Sequence, residues 1–281
     1  MATPEFVVVG HVVRDLLADG WRLGGTAAFA ALQALRLGVS VGVVTRAGPD
    51  IALDEALPGV AVAGRPSKET TCFENVYEGG RRRQRVPAQA EPLGLEDIPE
   101  DWRPAPAVLV GPVCGEVPPG LAADFSGPLV GVSAQGWLRR LDTQFKVRKE
   151  PWRGGPFWAG CDVVFVSEED IESARDQLDR WTADVPIVAL TADRRGASVH
   201  CDGAWRRIDA FPTNEVDPTG AGDVFAAAFL VRYRETNDIA TTMRFACAAA
   251  TSSIEAAGTS GIATREQIET RMAQHPEIVL R

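Results

Sequence analysis

The chain has 281 residues, 45% apolar and 24% charged, enough apolar content for a large core and too much for a disordered, collagenous or disulfide-scaffold protein. Its 29 Lys and Arg against 38 Asp and Glu leave a formal charge of -9, which argues against a nucleic-acid partner. Cys72, Cys114, Cys161, Cys201 and Cys247 never form a C-x-x-C pair, and no apolar run reaches the ~18 residues of a membrane span, so the chain reads as soluble, cytoplasmic and reduced, with no membrane partner.

Phe6 to Val9 is a β-branched run closed by Gly10, and Val41 to Val44 is a second. Between them Phe29, Leu32, Leu35 and Leu37 recur among alanines, predicting a helix over Thr26 to Leu37 with Thr26 as N-cap and Gly38 as stop. Val60 to Ala63 leads to Thr70 to Tyr77, where Thr71, Phe73, Asn75 and Tyr77 alternate, and Gly79-Gly80 then turns into Arg81 to Val86. The stretch 59–88 therefore reads as a small antiparallel excursion, either a flap over a site or a plain surface hairpin. Pro87 to Pro106 is proline-rich and acidic, the composition of an exposed connection. Val108 to Val110, Leu129 to Val132, Val163 to Val166 and Ile187 to Leu190 are further strand-like runs, interleaved with helical stretches such as Glu168 to Trp181. From Ala221 the chain reads as three helices, Ala221 to Arg234, Ile239 to Ala256 and Thr264 to Ala273. This alternation predicts an α/β fold with a mainly parallel sheet covered on both faces, in a single domain spanning 1–281.

The chemistry concentrates in Asp217-Pro218-Thr219-Gly220-Ala221-Gly222-Asp223, directly before the helix that continues Val224-Phe225. Small residues at a helix start leave N–H groups free at the positive end of the dipole, which makes an anion cradle. Asp223 is the lone carboxylate beside it, suited to take a proton from a hydroxyl while the N–H groups hold a transferring phosphoryl group. Taken alone, the same segment also fits a glycine-rich helix start capped by an acid. His11, His200 and His275 share no spacing that suggests a ligand set or relay.

Together these segments resemble the ribokinase-like (PfkB) carbohydrate kinase family. Residues 217–230 are similar to its C-terminal signature, with Pro218 where Thr is common. Gly24-Gly25, Ala31, Gly38 and Gly48 are similar to its N-terminal one, with Phe29 where Asn is usual. The resemblance covers essentially the whole chain and implies a three-layer α/β/α sandwich with a small β lid. It also implies an ATP-dependent phosphotransferase acting on a hydroxyl of a sugar or sugar-like polyol. In that reading Asp223 is the catalytic base, and the N–H groups of Gly220, Ala221 and Gly222 form the anion hole. Asp15 grips substrate hydroxyls, and Gly24 and Gly25 lie where the backbone nears the sugar and the lid hinges. Thr191 and Gly196, in a turn where Asp193 replaces a glycine, contact the nucleotide with Thr219, Ala250 and Ser253. Ser167-x-x-Asp170 stands where the family usually has Asn-x-x-Glu positioning magnesium through water, so Asp170, with Glu169, is the candidate for Mg2+. A monovalent cation such as K+ is a further candidate cofactor. Arg139, after Ser133-Ala134-Gln135-Gly136-Trp137-Leu138, is the candidate for a bidentate phosphate contact.

Only nine positions separate Asp15 from Gly24, so the lid is expected to be the hairpin 69–86 alone, stabilised by the body or by a second subunit in a homodimer. One of Arg81, Arg82, Arg83 and Arg85 would close over substrate, or all four form a solvated face. Trp21, Trp137 and Phe73 are candidates for packing on a sugar ring or for the core. The short lid and the Gln-Gly-Trp-Leu-Arg run are loosely similar to inositol-kinase-like members, while ribose, fructose, 2-keto-3-deoxygluconate and nucleosides fit as well. Two alternatives share the scaffold: a nucleoside kinase, and a non-catalytic regulatory protein that binds a sugar or nucleoside. The departures at Ser167 and Asp193 favour the regulatory protein and the intact 217–223 segment opposes it. A nicotinamide-binding Rossmann enzyme is excluded, because Gly24-Gly25 lacks the G-x-G-x-x-G spacing.

Overall fold

Valine-rich runs without polar alternation must be covered on both faces, and here they form the parallel core of a large sheet. In the computed structural model, which describes residues 2–78, 81–152, 154–172 and 175–281, the first elements are β1 (Phe6–Val9), β2 (Val13–Leu17), β3 (Gly20–Gly24), α1 (Thr26–Arg36), β4 (Val41–Val44), α2 (Leu53–Ala56) and β5 (Ala61–Ala63). They continue with β6 (Thr71–Glu78), β7 (Arg81–Ala88), β8 (Ala107–Val110), β9 (Val130–Ser133), β10 (Arg139–Leu141), β11 (Val147–Lys149) and β12 (Val163–Ser167). The last are α3 (Leu178–Asp184), β13 (Ile187–Thr191), β14 (Ala197–Cys201), β15 (Ala204–Ile208), α4 (Ala221–Thr236), α5 (Ile239–Ser253) and α6 (Arg265–Gln274). The Gly79-Gly80 turn and the side chains of Arg81 and Arg82 lie outside the described residues.

Nine strands form the main sheet in the order β15-β14-β13-β12-β9-β8-β1-β4-β5. All from β13 to β5 are parallel, and β14 and β15 add an antiparallel edge. Successive side chains enter opposite layers, the period of a strand. Phe6, Val8, Leu109 and Phe165 pack with residues of α1, α4 and α5, whereas Val7, Val9, Val108 and Val164 pack with Trp102, Trp137, Trp158 and Trp181. Among the described residues the second layer is built largely from 3-10 turns, with α3 its one longer helix.

Three expectations need correction. The helix over Glu168 to Trp181 is confined to Leu178–Asp184. Ser167 Oγ donates to Asp170 Oδ2 (2.6 Å) and accepts the Asp170 N–H (3.1 Å), so a side-chain ring holds a turn where the helix would start. Pro87 to Pro106 is not an exposed connection: Leu93, Ile98 and Trp102 are buried, and buried Asp97 pairs with Arg46 (2.8 Å) and Arg65 (3.0 Å). Val60 to Ala63 lies outside the excursion, because β5 extends the main sheet parallel to β4.

The hairpin 69–86 does not stand alone either. It belongs to a four-stranded sheet in the order β3-β2-β6-β7. The short stretch from Val13 to Gly24 suffices for an antiparallel hairpin of its own, with Leu17 opposite Gly20, and its β2 runs parallel to β6. Four strands avoid the marginal stability of two. The outer edge of β7 also meets the β10–β11 hairpin, where Arg85 pairs with Lys146 and the Val86 N–H donates to Phe145 O (2.8 Å).

Buried Glu116 ties the ends of β1 and β8 together by accepting the N–H groups of His11 (3.2 Å), Val113 (2.8 Å) and Cys114 (2.8 Å). The His11 ring bonds Thr71 Oγ1 (2.8 Å) and Glu91 O (3.1 Å), at the entry to and exit from the 71–88 hairpin. Glu116→Ala would leave three buried donors unpaired, so it is expected to lower unfolding free energy by about 3 kcal/mol. Urea denaturation checks this; an unchanged midpoint would show that the carboxylate is dispensable. Among the described residues no helix is long and apolar enough to cross a membrane, and the five cysteines are buried free thiols.

Candidate active site

Strands β9, β12 and β13 end at Ser133, Ser167 and Thr191, and these residues open on one wall of a cleft of about 1170 Å³. The crevice beyond the C-terminal ends of parallel strands is where open α/β sheets bind ligands. Val13, Asp15, Phe73 and Gln84 of the small sheet form the facing wall, and Pro218 to Asp223 lie between.

Gly220 immediately precedes α4 with φ +79°, and a Cβ there would lie 2.3 Å from the Phe29 ring. Only glycine meets both conditions. Phe29 is therefore a core residue under the loop, 1% exposed. A Cβ on Gly222 would meet no heavy atom within 4 Å, so the loop is open on that side. The loop is braced by Asp217, whose Oδ1 accepts the Thr219 N–H (3.1 Å) and whose Oδ2 accepts the Gly258 N–H (3.0 Å) and faces Arg22 Nη1 (2.9 Å). Burial pushes the Asp217 carboxyl up, but these partners outweigh it and hold it below the ordinary carboxylate range.

Asp223 sits in the first turn of α4, partly buried in the cleft wall. Burial is the largest influence and pushes its carboxyl up to about 6. A hydrogen bond from the Thr26 hydroxyl and the charge of Arg139 pull it down, while Asp170 and Asp15 push it up. Thr26 is not the N-cap of α1 but its first residue. Gly25, at φ +84°, takes the cap position, and a Cβ there would sit 2.5 Å from His11 O.

Asp15 lines the cleft from β2, and Gly24 makes room for it: a Cβ on Gly24 would lie 2.2 Å from Asp15 Oδ2. Gly24 thus stands behind the carboxylate, outside the cleft wall, whereas Gly25 lines it. Arg139 also lines the cleft, with its Nη1 donating to Val113 O (3.2 Å) and its guanidinium 5.9 Å from the centroid of buried Phe73. Trp137 is a core residue whose Nε1 donates to Val117 O (2.7 Å), and Trp21 packs under Arg14.

At the other end, Thr191, Gly196, Thr219 and Ala250 line the cleft. Ser253 does not; its buried hydroxyl donates to Ala250 O (2.8 Å). The turn after β13 survives without its middle glycine because Asp193 itself adopts φ +48°, a left-handed conformation that aspartate tolerates. Asp170 is 4% exposed in the cleft wall and accepts from Gln135 Nε2 (3.1 Å) as well as Ser167. Glu169 lines the cleft and pairs with Lys149 (3.0 Å). Thr26, Gln135 and Arg22 are the site's partners that sequence reasoning missed. For Thr26 the signal was its place directly after Gly24-Gly25, and Gln135 lay in the segment 133–139 already singled out for Arg139, with no role of its own; Arg22 carried none.

A profile of pfkB family carbohydrate kinases matches residues 157–265. A cytidine kinase of Thermococcus kodakarensis is 30% identical over 258 residues, covering 82% of this chain and 88% of the relative. The chain belongs to the pfkB family. This PfkB protein is also 32% identical to an inositol 3-kinase of Oryza sativa, over 80% of its own length and 62% of the relative's. Among solved structures, a pyrophosphate-dependent myo-inositol-1 kinase converted into a myo-inositol-3 kinase superposes with a TM-score of 0.79 at 22% identity, covering 96% of this chain and 99% of that one. The nucleoside kinase of Methanocaldococcus jannaschii gives 0.73 at 18% identity, covering 98% and 100%. The fold is thus the ribokinase-like sandwich, and the PfkB protein is a phosphotransferase acting on a hydroxyl group.

Proposed function

We propose that this PfkB kinase moves the terminal phosphoryl group of ATP to a hydroxyl of a sugar or sugar-like polyol, with Asp223 as general base. The reading is carried by one observation: a carboxyl raised to about 6 stands in the same cleft as the glycine loop, Arg139 and Asp15. At neutral pH such a base is largely ionised, yet basic enough to accept the acceptor's proton. The N–H groups of Gly220, Ala221 and Gly222, with Arg139, meet the charge spread over the transferring group. Asp15 accepts from vicinal hydroxyls with its two oxygens. Thr191, Gly196, Thr219 and Ala250 line the side left for the nucleotide.

Magnesium takes oxygen ligands, keeps several waters and needs few carboxylates when donor phosphates are present. Asp170 fits that demand, being buried in the cleft wall and fixed by Gln135 and Ser167, with Glu169 beside it. The bound ion would neutralise phosphate charge.

The similarity to a cytidine kinase favours a second acceptor class, a nucleoside, whose ribose offers Asp15 the same vicinal hydroxyls. Magnesium-dependent ADP release across sugars, polyols and nucleosides tests both readings, with a parallel series in which pyrophosphate replaces ATP and orthophosphate release is followed, and with K+ exchanged for Na+. Turnover with a sugar or polyol supports the first and turnover with cytidine the second. Absence of turnover with every acceptor contradicts the kinase reading.

The base must be ionised, so kcat/KM is expected to be full above about pH 6 and to fall tenfold per unit below it. Thr26→Val removes a hydrogen bond that favours the ionised form, so its acid limb should move to higher pH. A limb near pH 4, or one that Thr26→Val leaves in place, would contradict this assignment.

A further inference from the structure

We propose that Arg22 is a positioning residue that couples the seating of the small sheet to the shape of the phosphate loop; the proposal rests on the kinase reading above. Arg22 lies on β3 directly opposite Asp15 on β2. Directly opposed residues of an antiparallel pair project from one face, so the residue proposed to hold the acceptor and Arg22 move as a unit. Arg22 Nη1 reaches 2.9 Å from Oδ2 of Asp217, whose side chain is only 12% exposed. The same carboxylate accepts the N–H of Thr219, at the start of the phosphate loop, and the N–H of Gly258, in the loop after α5.

The small sheet meets the loop here across a cavity of about 290 Å³, lined by Leu16, Leu17, Asn75, Asp217 and Thr219, and Arg22 spans it. An outward shift of the sheet withdraws the guanidinium and leaves the Asp217 carboxylate without that cation. Asp217 then turns toward water, and its hold on Thr219 and Gly258 loosens. An acceptor that draws Asp15 inward restores the pair and sets the loop for transfer. Phosphoryl transfer thereby depends on an acceptor being seated, which limits loss of the donor's phosphoryl group to water.

The test compares Arg22→Gln, Arg22→Lys, Asp217→Asn and the double variant Arg22→Gln/Asp217→Asn as full-length proteins, with ATP and the acceptor turned over fastest by the wild type. Arg22→Gln should lower kcat about tenfold or more while both KM values stay within about threefold. Its Tm should stay close to wild type, because Arg22 is 38% exposed and the pair adds little to global stability. Arg22→Lys should keep most of kcat, and the double variant should be no slower than Asp217→Asn alone. Wild-type kcat in Arg22→Gln, or losses that multiply in the double variant, would overturn the proposal. Amide exchange of the ligand-free chain supplies a readout independent of acceptor. Arg22→Gln should speed exchange at Thr219 and Gly258 about fivefold, and unchanged exchange would also overturn the proposal. Absence of wild-type turnover with every acceptor would instead remove the kinase reading, leaving the latch to be judged by exchange alone.

Discussion

Asp223→Asn is expected to cut kcat by at least about 10²-fold while both KM values stay within a few-fold. The amide keeps the shape of the carboxylate and an oxygen for the Thr26 hydroxyl, but it cannot take a proton. Stability separates this effect from misfolding. The Asp223 carboxyl is raised in the folded chain, to about 6, so the protonated form is favoured by folding and the ionised form is disfavoured. Stability is therefore lost as pH rises from the unfolded carboxyl range through about 6, and at pH 7 the charge is a liability that Asn removes. A Tm at pH 7 equal to or above wild type, together with the loss of turnover, is the expected pair of results. Unchanged turnover would mean that the acceptor's proton leaves by another route.

Gly220→Ala is expected to do comparable damage by a different path. Its φ of +79° costs any L side chain about 1–2 kcal/mol. The new Cβ would also stand 2.3 Å from the Phe29 ring, which is fully buried and has nowhere to retreat. Either the loop or the ring must shift, and a loop displaced from its donor geometry is expected to lose about 10²–10³ in kcat. Phe29→Leu in the same chain should recover part of the stability and little of the turnover, because space returns and the backbone strain remains. Thermal unfolding and steady-state kinetics on the wild type and the two variants check this. Full activity in Gly220→Ala would show that the loop tolerates a side chain where the packing forbids one.

The legible parts of this molecule are those in which neighbours in sequence are also neighbours in space. The loop Asp217 to Asp223 is contiguous, so its glycines, its acid and the helix behind them were readable together. The parallel strands were readable because burial on both faces demands continuous Val-rich runs. In the small sheet the β6–β7 hairpin was readable from its alternating residues, but the β2–β3 hairpin was not, because β2 is Val13-Arg14-Asp15-Leu16-Leu17, a run without apolar alternation. Its Asp19-Gly20 pair carries a hairpin signal that stands out only once the flanking strands are known. Side chains that pair across the chain left no trace at all. Arg22 meets Asp217 and Gln135 meets Asp170 through the topology, and no local pattern announces either contact. Asp193 departed from the family's glycine, yet it keeps the turn by taking the glycine's conformation.

The most direct trial is a crystal of the full chain soaked with magnesium and a non-hydrolysable ATP analogue. The terminal phosphate is expected within hydrogen-bond distance of the Gly220, Ala221 and Gly222 N–H groups, with Asp223 beside the open face of its phosphorus. A terminal phosphate bound away from this loop would contradict the assignment of both the anion site and the base.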